Sequence, residues 1–272
     1  MIKLTWLYRH INLLSIDIVA GVVICASFFA RIFQVQIRPQ GLIVLGLTVW
    51  IIYTTDHLLD AYRTKDVAST ERHRFHQHNF FVLVILLAIG IIVNAILVFF
   101  IRVPVFQWGL LLIGIVLVYL LFQKHLLFFK EFIAAILYSS GIMLPSLVVA
   151  TLHIDFFTSA LIVHFFITAW FNLILFSWFD EDHDIQDKHN SFVTTVGRDR
   201  ARLFLLFLFS VNVVIFIMQI ILGTPWMFPL IILMAMNTIL LFILLKKKWF
   251  AVDDRFRLLG DSIFLLPILF LV

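Results

Sequence analysis

Residues 156–188 read FFTSALIVHFFITAWFNLILFSWFDEDHDIQDK. The part from Phe156 to Phe179 contains no Asp, Glu, Lys or Arg. It is long enough to cross a bilayer as an α-helix, which takes about 20 apolar residues. Two carboxylates, Asp180 and Asp184, follow it directly. We therefore interpret this stretch as a membrane helix whose end carries an acidic pair.

A second acidic pair of the same form lies much earlier in the chain. In YTTDHLLDAYR, residues 53–63, another long apolar run ends at Asp56 and Asp60. Both pairs are followed by stretches rich in Lys, Arg and His. Because they stand at matching places, we interpret the two pairs as the principal candidates for chemistry.

The composition places the chain among membrane proteins. Hydrophobic residues make up 63% of the 272 residues, charged residues only 13%, and the mean hydropathy is +1.09. Soluble domains are far less apolar. The apolar runs lack the alternation of barrel strands, and lipid offers no partner for unpaired backbone groups. The sequence therefore predicts an all-α fold, a polytopic membrane helix bundle, with residues 1–272 forming one membrane domain.

Apolar runs between charged breaks predict about nine transmembrane helices. The ninth has only fifteen residues, contains Asp261, and is predicted to begin earlier, to tilt or to cross only in part. The nine candidate spans are Ile11–Phe33, Leu42–Leu59, Phe80–Ile101, Val105–Phe122, Phe132–Leu152, Phe156–Phe179, Leu203–Leu222, Trp226–Leu245 and Leu258–Val272.

The distribution of basic residues predicts the orientation of these spans. With the amino terminus in the cytoplasm, all but three of the 20 Lys and Arg residues fall on the cytoplasmic side. The three exceptions are Arg31, Arg38 and Arg102. Positive charge is concentrated in cytoplasmic loops of multi-pass proteins. We therefore expect an integral membrane protein whose amino terminus and both acidic motifs face the cytoplasm.

The spacing within each acidic pair suggests a cation site. Residues four apart lie on one helix face, about 6 Å apart along the axis, so each pair presents two carboxylates side by side. Asp187 extends the second row by a further turn. Mg²⁺ favours carboxylate oxygens and is commonly completed by water and substrate phosphates. Facing pairs would thus hold Mg²⁺ around a diphosphate; the alternative is solvated acids that balance nearby Lys and Arg.

Several motifs resemble those of the UbiA superfamily of intramembrane prenyltransferases. The segment DEDHDIQDKHNSFVTTVG, residues 180–197, is similar to the second aspartate-rich motif of that family, and Asp56 and Asp60 look like the last two acids of the first motif. Residues 119–145, YLLFQKHLLFFKEFIAAILYSSGIMLP, are similar to the family's loop between helices 4 and 5. The opening YRHINLLS, residues 8–15, is similar to the family's amino-terminal segment.

The chain also departs from the family pattern at identifiable positions. Ile52 and Tyr53 stand where the first motif usually opens with Asn and Asp, and TERHRFHQH, residues 70–78, lacks the usual Arg-Pro sequence. Lys188 and Asn190 replace the usual Gly and basic residue in the second motif. The carboxylate cage that the resemblance implies is therefore thinner here than in the family.

The resemblance implies Mg²⁺-dependent transfer of a prenyl group from a polyprenyl diphosphate to an aromatic or lipid acceptor within the membrane. Asp56, Asp60, Asp180, Asp184 and Asp187 would be the Mg²⁺ ligands, the first four of them catalytic. Basic residues near the motifs would contact the diphosphate. These are Arg63, Lys65, Arg72, Arg74, Lys124, Lys130 and Lys188.

Four polar residues elsewhere are further candidates. Asn12 and Tyr119 fall in the segments that resemble the family, and Asn172, two turns before Asp180, is placed to face the same pocket. Asp17 is an ionisable residue at membrane depth, which makes it a functional candidate. Along a continuous helix, Asn12 is too far from Asp17 to pair with it. We therefore expect protonation of Asp17 or a partner from another helix.

Other functions are consistent with parts of this pattern. A transporter, or a non-catalytic membrane protein that binds cations, would also use acidic rows, although transporter acids usually lie near the bilayer midplane. A terpene-cyclase-like enzyme or an inactive relative would keep the fold and change the chemistry. The positive charge is accounted for by topology, so we expect membrane lipid and no nucleic acid as partners.

Overall fold

The structure is a computed structural model that describes residues 11–63, 71–150, 154–186 and 190–272. These parts of the chain contain thirteen α-helices, joined by short 3₁₀ turns and loops, and no strand. The all-α, polytopic class that the sequence predicts is confirmed.

We number the helices in chain order. They are α1 (Ile16–Ile32), α2 (Pro39–Arg63), α3 (Glu71–His78), α4 (Phe80–Leu97), α5 (Val103–Phe122), α6 (Lys130–Leu147), α7 (Phe156–Gln186), α8 (Phe192–Val196), α9 (Arg198–Ile221), α10 (Met227–Leu245), α11 (Lys247–Phe250), α12 (Arg255–Ser262) and α13 (Ile268–Leu271).

Seven helices among the described residues are long and apolar enough to cross a membrane: α2, α4, α5, α6, α7, α9 and α10. The two remaining predicted spans correspond to shorter helices. The first predicted span holds α1, which has 17 residues, and the last holds α12 and α13. For the last span, an earlier start, a tilt and a partial crossing were the three alternatives; α12 begins at Arg255, before Leu258.

Local backbone geometry explains why these two segments are short. Ser15 lies in the left-handed region, with a φ of 57°, so the chain turns immediately before α1. Asp253 and Asp254 are also left-handed and separate α11 from α12. The chain then passes through a 3₁₀ turn at Ile263–Leu265 before α13 begins. An α-helix does not continue through a left-handed residue, so the first predicted span is broken at Ser15. The last predicted span is divided by the 3₁₀ turn between α12 and α13.

Helix α7 is the centre of the bundle. It packs against α6, α9 and α10, and α1 packs against α2 and α6. More than half of the apolar window of α7 is buried, whereas α4 and α5 are mostly exposed. The exposed side chains of α4 and α5 are largely apolar, which is the surface that lipid covers. The buried face of α7 therefore positions the acidic side chains at the end of this helix.

Polar side chains join the central helices inside the bundle. The Asn212 amide donates to the side-chain oxygen of Asn237 at 2.8 Å, and the Asn237 amide donates to Thr168 Oγ1 at 2.6 Å. All three residues are fully buried. Hydrogen bonds of this kind hold helices together where lipid supplies no hydrophobic driving force. They link α9, α10 and α7 in a fixed register.

Replacement of Gly21 by Ala should destabilise the contact between α1 and the last segment. A Cβ at Gly21 would lie 2.9 Å from Phe264 Cβ, which is too close for two carbons. Overpacking of this kind costs about 1–3 kcal/mol. We expect Gly21→Ala to lower the thermal unfolding midpoint of the detergent-solubilised protein.

Gly114→Ala is the matched control for this prediction. It gives the same gain in helix propensity, but its added Cβ would meet no heavy atom within 4 Å. Equal unfolding midpoints for the two variants would contradict the close contact at Gly21.

Candidate functional site

An elongated cavity of about 460 Å³ runs through the bundle between α1, α2, α4, α5, α6, α7 and α12. Its volume is in the range of pockets that hold small ligands. Charged side chains line one end of it. The wall at the other end is apolar, with Gly41, Ile101 and Val105 among its residues. The cavity is therefore suited to an amphiphilic ligand with a polar head.

Helix α2 contributes a stripe of side chains to this cavity. The stripe runs from Gly41 through Leu45 and Val49 to Asp56, with lining residues that recur as the 3.6-residue period of a helix requires. Asp60 is half-buried one turn beyond Asp56 and is not part of the cavity wall. The first acidic pair is thus divided, with one carboxylate in the cavity and one past its end.

Helix α7 contributes the facing stripe. Asn172, Phe176, Asp180 and Asp184 all line the cavity, and each is four residues from the next. Asp180 is 8% exposed, although it lies at the end of a membrane helix. The structure therefore brings both carboxylates of the second pair to the same cavity as Asp56.

The cavity lining carries more acids than bases among the described residues. Five carboxylates line the cavity, those of Asp56, Glu131, Asp180, Asp184 and Asp261. The described lining has two basic side chains, Lys130 and Arg257. An excess of carboxylates in a partly desolvated site attracts cations. The site is therefore electrostatically suited to bind cations.

Direct contacts hold two of these acids in place. The Gln123 amide donates to Asp56 Oδ1 at 2.9 Å. The Arg257 guanidinium forms an ion pair with Asp180 Oδ2. Gln123 and Arg257 could not be predicted from the acidic motifs, because both residues lie far from these motifs in the chain. Two features could have drawn attention to Arg257, its place beside the ninth predicted span and the acid Asp261 one turn later.

Glu131 organises the backbone beside the second acidic pair. Its carboxylate accepts a hydrogen bond from Ser177 Oγ at 2.8 Å and from the Phe192 N–H at 3.0 Å. Ser177 belongs to α7, and Phe192 begins α8, which Ser191 caps through its side chain. Glu131 therefore connects α6, α7 and α8, and it fixes the position at which α8 begins.

A second group of contacts anchors the charged end of α7. Trp178 Nε1 donates to the Arg198 carbonyl at 3.1 Å, and Arg198 forms ion pairs with Glu181 and Asp182. Lys247 lies over the Trp178 ring, 4.7 Å from its centroid. Burial, and then the neighbouring Arg198 charge, lower the pKa of Lys247. These contacts tie α7 to α9 and α11.

The structure corrects the expectation that Asn12 is too far from Asp17 to pair with it. The Asn12 amide donates to Asp17 Oδ2 at 2.6 Å and to Asp261 Oδ2 at 3.0 Å. The left-handed turn at Ser15 interrupts the helix and brings Asn12 back toward Asp17. Asn12 is also a predicted pocket residue; it does not line the cavity itself but contacts Asp261, which does.

The remaining predicted residues divide into three groups. Tyr119, Asn172 and Lys130 line the cavity together with the acids. Arg74 is exposed on α3 and does not line it. The others lie outside the described residues, either entirely or in their side chains. These are Arg63, Lys65, Arg72, Lys124, Asp187 and Lys188.

The carboxylate oxygens of the cavity suit Mg²⁺, which binds hard oxygen ligands. Among the described residues, no three His, Cys, Asp or Glu side chains are grouped closely enough to hold a metal ion by themselves. Mg²⁺ ordinarily takes one or two carboxylates and completes its shell with water and phosphate oxygens. Asp56, Asp180 and Asp184 therefore fit Mg²⁺ as contributors to a site that a ligand completes.

Comparison with known proteins identifies the fold. The chain is similar to the apo structure of a UbiA homolog from Aeropyrum pernix K1, with a TM-score of 0.67 over 93% of this chain and 97% of that chain. The two sequences are 12% identical. No protein-family model and no curated protein matches the sequence. The chain is an integral membrane protein with a UbiA-like fold.

Substitution of Glu131 should show how far it supports the site. Glu131→Ala removes the acceptor for both Ser177 and the Phe192 N–H, and an unsatisfied buried donor costs about 1–3 kcal/mol. We expect a lower thermal unfolding midpoint. Glu131→Gln keeps one acceptor oxygen, so its midpoint should lie between those of Glu131→Ala and the wild type. A midpoint for Glu131→Ala equal to that of the wild type would contradict this role.

Proposed function

We propose that this protein transfers a prenyl group from a polyprenyl diphosphate to an aromatic or lipid acceptor within the membrane, with Mg²⁺ as cofactor. One observation carries the proposal: acids from both motifs, Asp56 on α2 and Asp180 and Asp184 on α7, line one end of a cavity whose other end is apolar. A diphosphate with an isoprenoid tail has the same division into a charged head and an apolar chain.

The charged end supports binding of the diphosphate through cations. A diphosphate and five carboxylates would repel one another, so positive charge must lie between them. Asp56, Asp180 and Asp184 would hold Mg²⁺, and Lys130 would contact phosphate oxygens. Mg²⁺ would neutralise the charge that develops on the departing diphosphate. The likeness in fold to a UbiA homolog supports the same proposal.

The apolar part of the cavity supports a long tail. Along α2 the lining extends from Gly41 to Asp56, and 1.5 Å per residue makes this about 22 Å. That length is most of the hydrocarbon thickness of a bilayer, which is about 30 Å. The wall on the other side comes from α5, which includes Gly109 and Phe106. A tail of several isoprene units fits this space.

The chemistry requires shielding of a carbocation. When the carbon–oxygen bond breaks, its electron pair leaves with the diphosphate and an allylic cation remains. The acceptor then forms the new bond and releases a proton. Tyr119, Tyr138 and Phe176 line the cavity and present aromatic rings, which stabilise cations and exclude water.

A second candidate function is cation binding or transport without chemistry. The buried group formed by Asp17, Asn12 and Asp261 favours it, because ionisable residues at membrane depth often mark ion pathways. The other acids lie together at one end of the cavity, which favours the enzyme. Cation uptake in proteoliposomes without consumption of diphosphate would decide for transport. A cyclised product formed without an acceptor would indicate a terpene-cyclase-like enzyme.

Loss of a cavity carboxylate should abolish turnover. We expect Asp56→Ala and Asp180→Ala to reduce pyrophosphate release by at least about 100-fold, the effect of removing one electrostatic contact to a transition state. The assay incubates purified protein and Mg²⁺ with prenyl diphosphates of several lengths, with and without candidate acceptors.

Asp182→Asn is the matched control, since Asp182 is on the same helix but its side chain is 73% exposed and lies outside the cavity lining. The Asn side-chain oxygen can still accept the hydrogen bond from Arg198. It should retain wild-type turnover. Unchanged turnover in Asp180→Ala would refute the mechanism.

A side chain at position 109 should shorten the preferred tail. A Cβ at Gly109 would meet no heavy atom within 4 Å, so a larger residue would occupy the cavity without a clash. We expect Gly109→Leu to lower kcat/KM for geranylgeranyl diphosphate by about tenfold relative to geranyl diphosphate, the discrimination that pocket size provides.

Gly114→Leu tests whether this effect depends on the cavity. Gly114 lies on the same helix, outside the lining, and a Cβ there would equally meet no heavy atom within 4 Å. Its chain-length preference should match the wild type. The same shift in both variants would contradict a tail beside Gly109.

A further inference from the structure

Arg257 is a cavity residue that belongs to neither acidic motif. It lies in the first turn of α12, lines the charged end of the cavity, and forms an ion pair with Asp180 on α7. Its side chain is only 21% exposed. A guanidinium is therefore already present at the carboxylate where a divalent cation would bind.

The surroundings of Arg257 hold its guanidinium in one position. Its guanidinium carbon lies 5.6 Å from the centre of the Phe176 ring and 5.3 Å from that of Phe256. Phe256 in turn stacks on Phe179, with ring centres 4.4 Å apart. Contact with ring faces and a carboxylate restricts a long side chain that would otherwise move freely. Arg257 is thus pre-positioned before any ligand arrives.

A glycine makes this arrangement possible. A Cβ at Gly260 would lie 2.5 Å from a Phe176 ring carbon and 2.9 Å from Asn172 Oδ1. Only the absence of a side chain there lets α12 approach α7 so closely. Arg257 is three residues earlier on the same helix, so the approach at Gly260 sets how far its guanidinium reaches toward Asp180.

We propose that Arg257 binds the diphosphate, as a built-in cation held at the second acidic pair. This inference rests on the proposed function. A guanidinium has five N–H donors in a planar fork, and one carboxylate engages at most two of them. The others are suited to phosphate oxygens. A carboxylate has about four lone-pair sites, so Asp180 can keep Arg257 and also ligate a cation.

This role fits the charge of the site. Five carboxylates and two basic residues of the described chain line the cavity, and Arg257 is one of those two. Its fixed charge would offset part of the repulsion between the acids and a diphosphate without a further metal ion. In the absence of a diphosphate, the positive charge of Arg257 repels Mg²⁺ and weakens its binding at Asp180. Arg257 should therefore affect the two ligands in opposite directions.

The test measures both ligands on the purified, detergent-solubilised full chain by isothermal titration calorimetry. Inorganic pyrophosphate is titrated at saturating Mg²⁺, and Mg²⁺ is titrated alone. We expect Arg257→Gln to weaken pyrophosphate binding by about tenfold or more, as loss of a charged hydrogen bond does. The same variant should bind Mg²⁺ alone more tightly than the wild type. Arg257→Lys keeps the charge but loses the fork, so its pyrophosphate affinity should be intermediate.

Arg255→Gln is the matched control. Arg255 is on the same helix, pairs with Asp253 and lies over the Trp249 ring, outside the cavity lining. Its variant should bind both ligands as the wild type does. If Arg257→Gln does not fold, as judged by its thermal midpoint, the comparison of Arg257→Lys with the wild type decides instead.

Three results would overturn the inference. Unchanged pyrophosphate affinity in Arg257→Gln, with a lowered thermal midpoint, would make Arg257 a purely structural link between α12 and α7. Parallel weakening of pyrophosphate and Mg²⁺ binding would indicate a disordered site. Absence of pyrophosphate binding in the wild type would instead refute the proposed function, and the inference with it.

Discussion

Helix α7 is buried in the bundle along most of its length and carries two carboxylates at its end, so it has to satisfy two environments at once. Its apolar part is buried against α6, α9 and α10, whereas Asp180 and Asp184 at its end carry charge that hydrocarbon does not accept. The carboxylates therefore set the depth of α7 in the membrane, and its buried face sets its rotation. Once depth and rotation are determined, the stripe from Asn172 to Asp184 can face only the central cavity.

The helices of the bundle differ in how much of their surface is buried. Helices α7 and α10 are buried along much of their length, while α4 and α5 lie at the edge, where α4 packs on α2 and α5 on α6. The apolar half of the cavity lies beside these two peripheral helices. The ligand of the proposed function would meet this apolar wall at one end and, at the other, the acidic end of α7, which Glu131, Trp178 and Arg198 anchor.

The two ends of the described chain close the site from one side. Asn12 bridges Asp17 and Asp261, and α12 approaches α7 at Gly260. Both contacts depend on breaks in regular helix, at Ser15 and at Asp253 and Asp254. A continuous helix in either place would separate these polar groups. The irregular segments are thus what brings Arg257 and Asp261 to the acids of the two motifs.

The amino-acid sequence was sufficient to predict the helical membrane class and the two acidic pairs, because long apolar runs have few stable alternatives in lipid and charges must lie at their ends. It also indicated Lys130, Tyr119 and Asn172, which line the cavity. Three features emerged from the folded chain alone: Asp60 lies beyond the cavity wall, Asn12 reaches Asp17, and Arg257 pairs with Asp180. These facts depend on left-handed turns and on the close packing of helices distant in sequence, and neither leaves a periodic pattern in the chain.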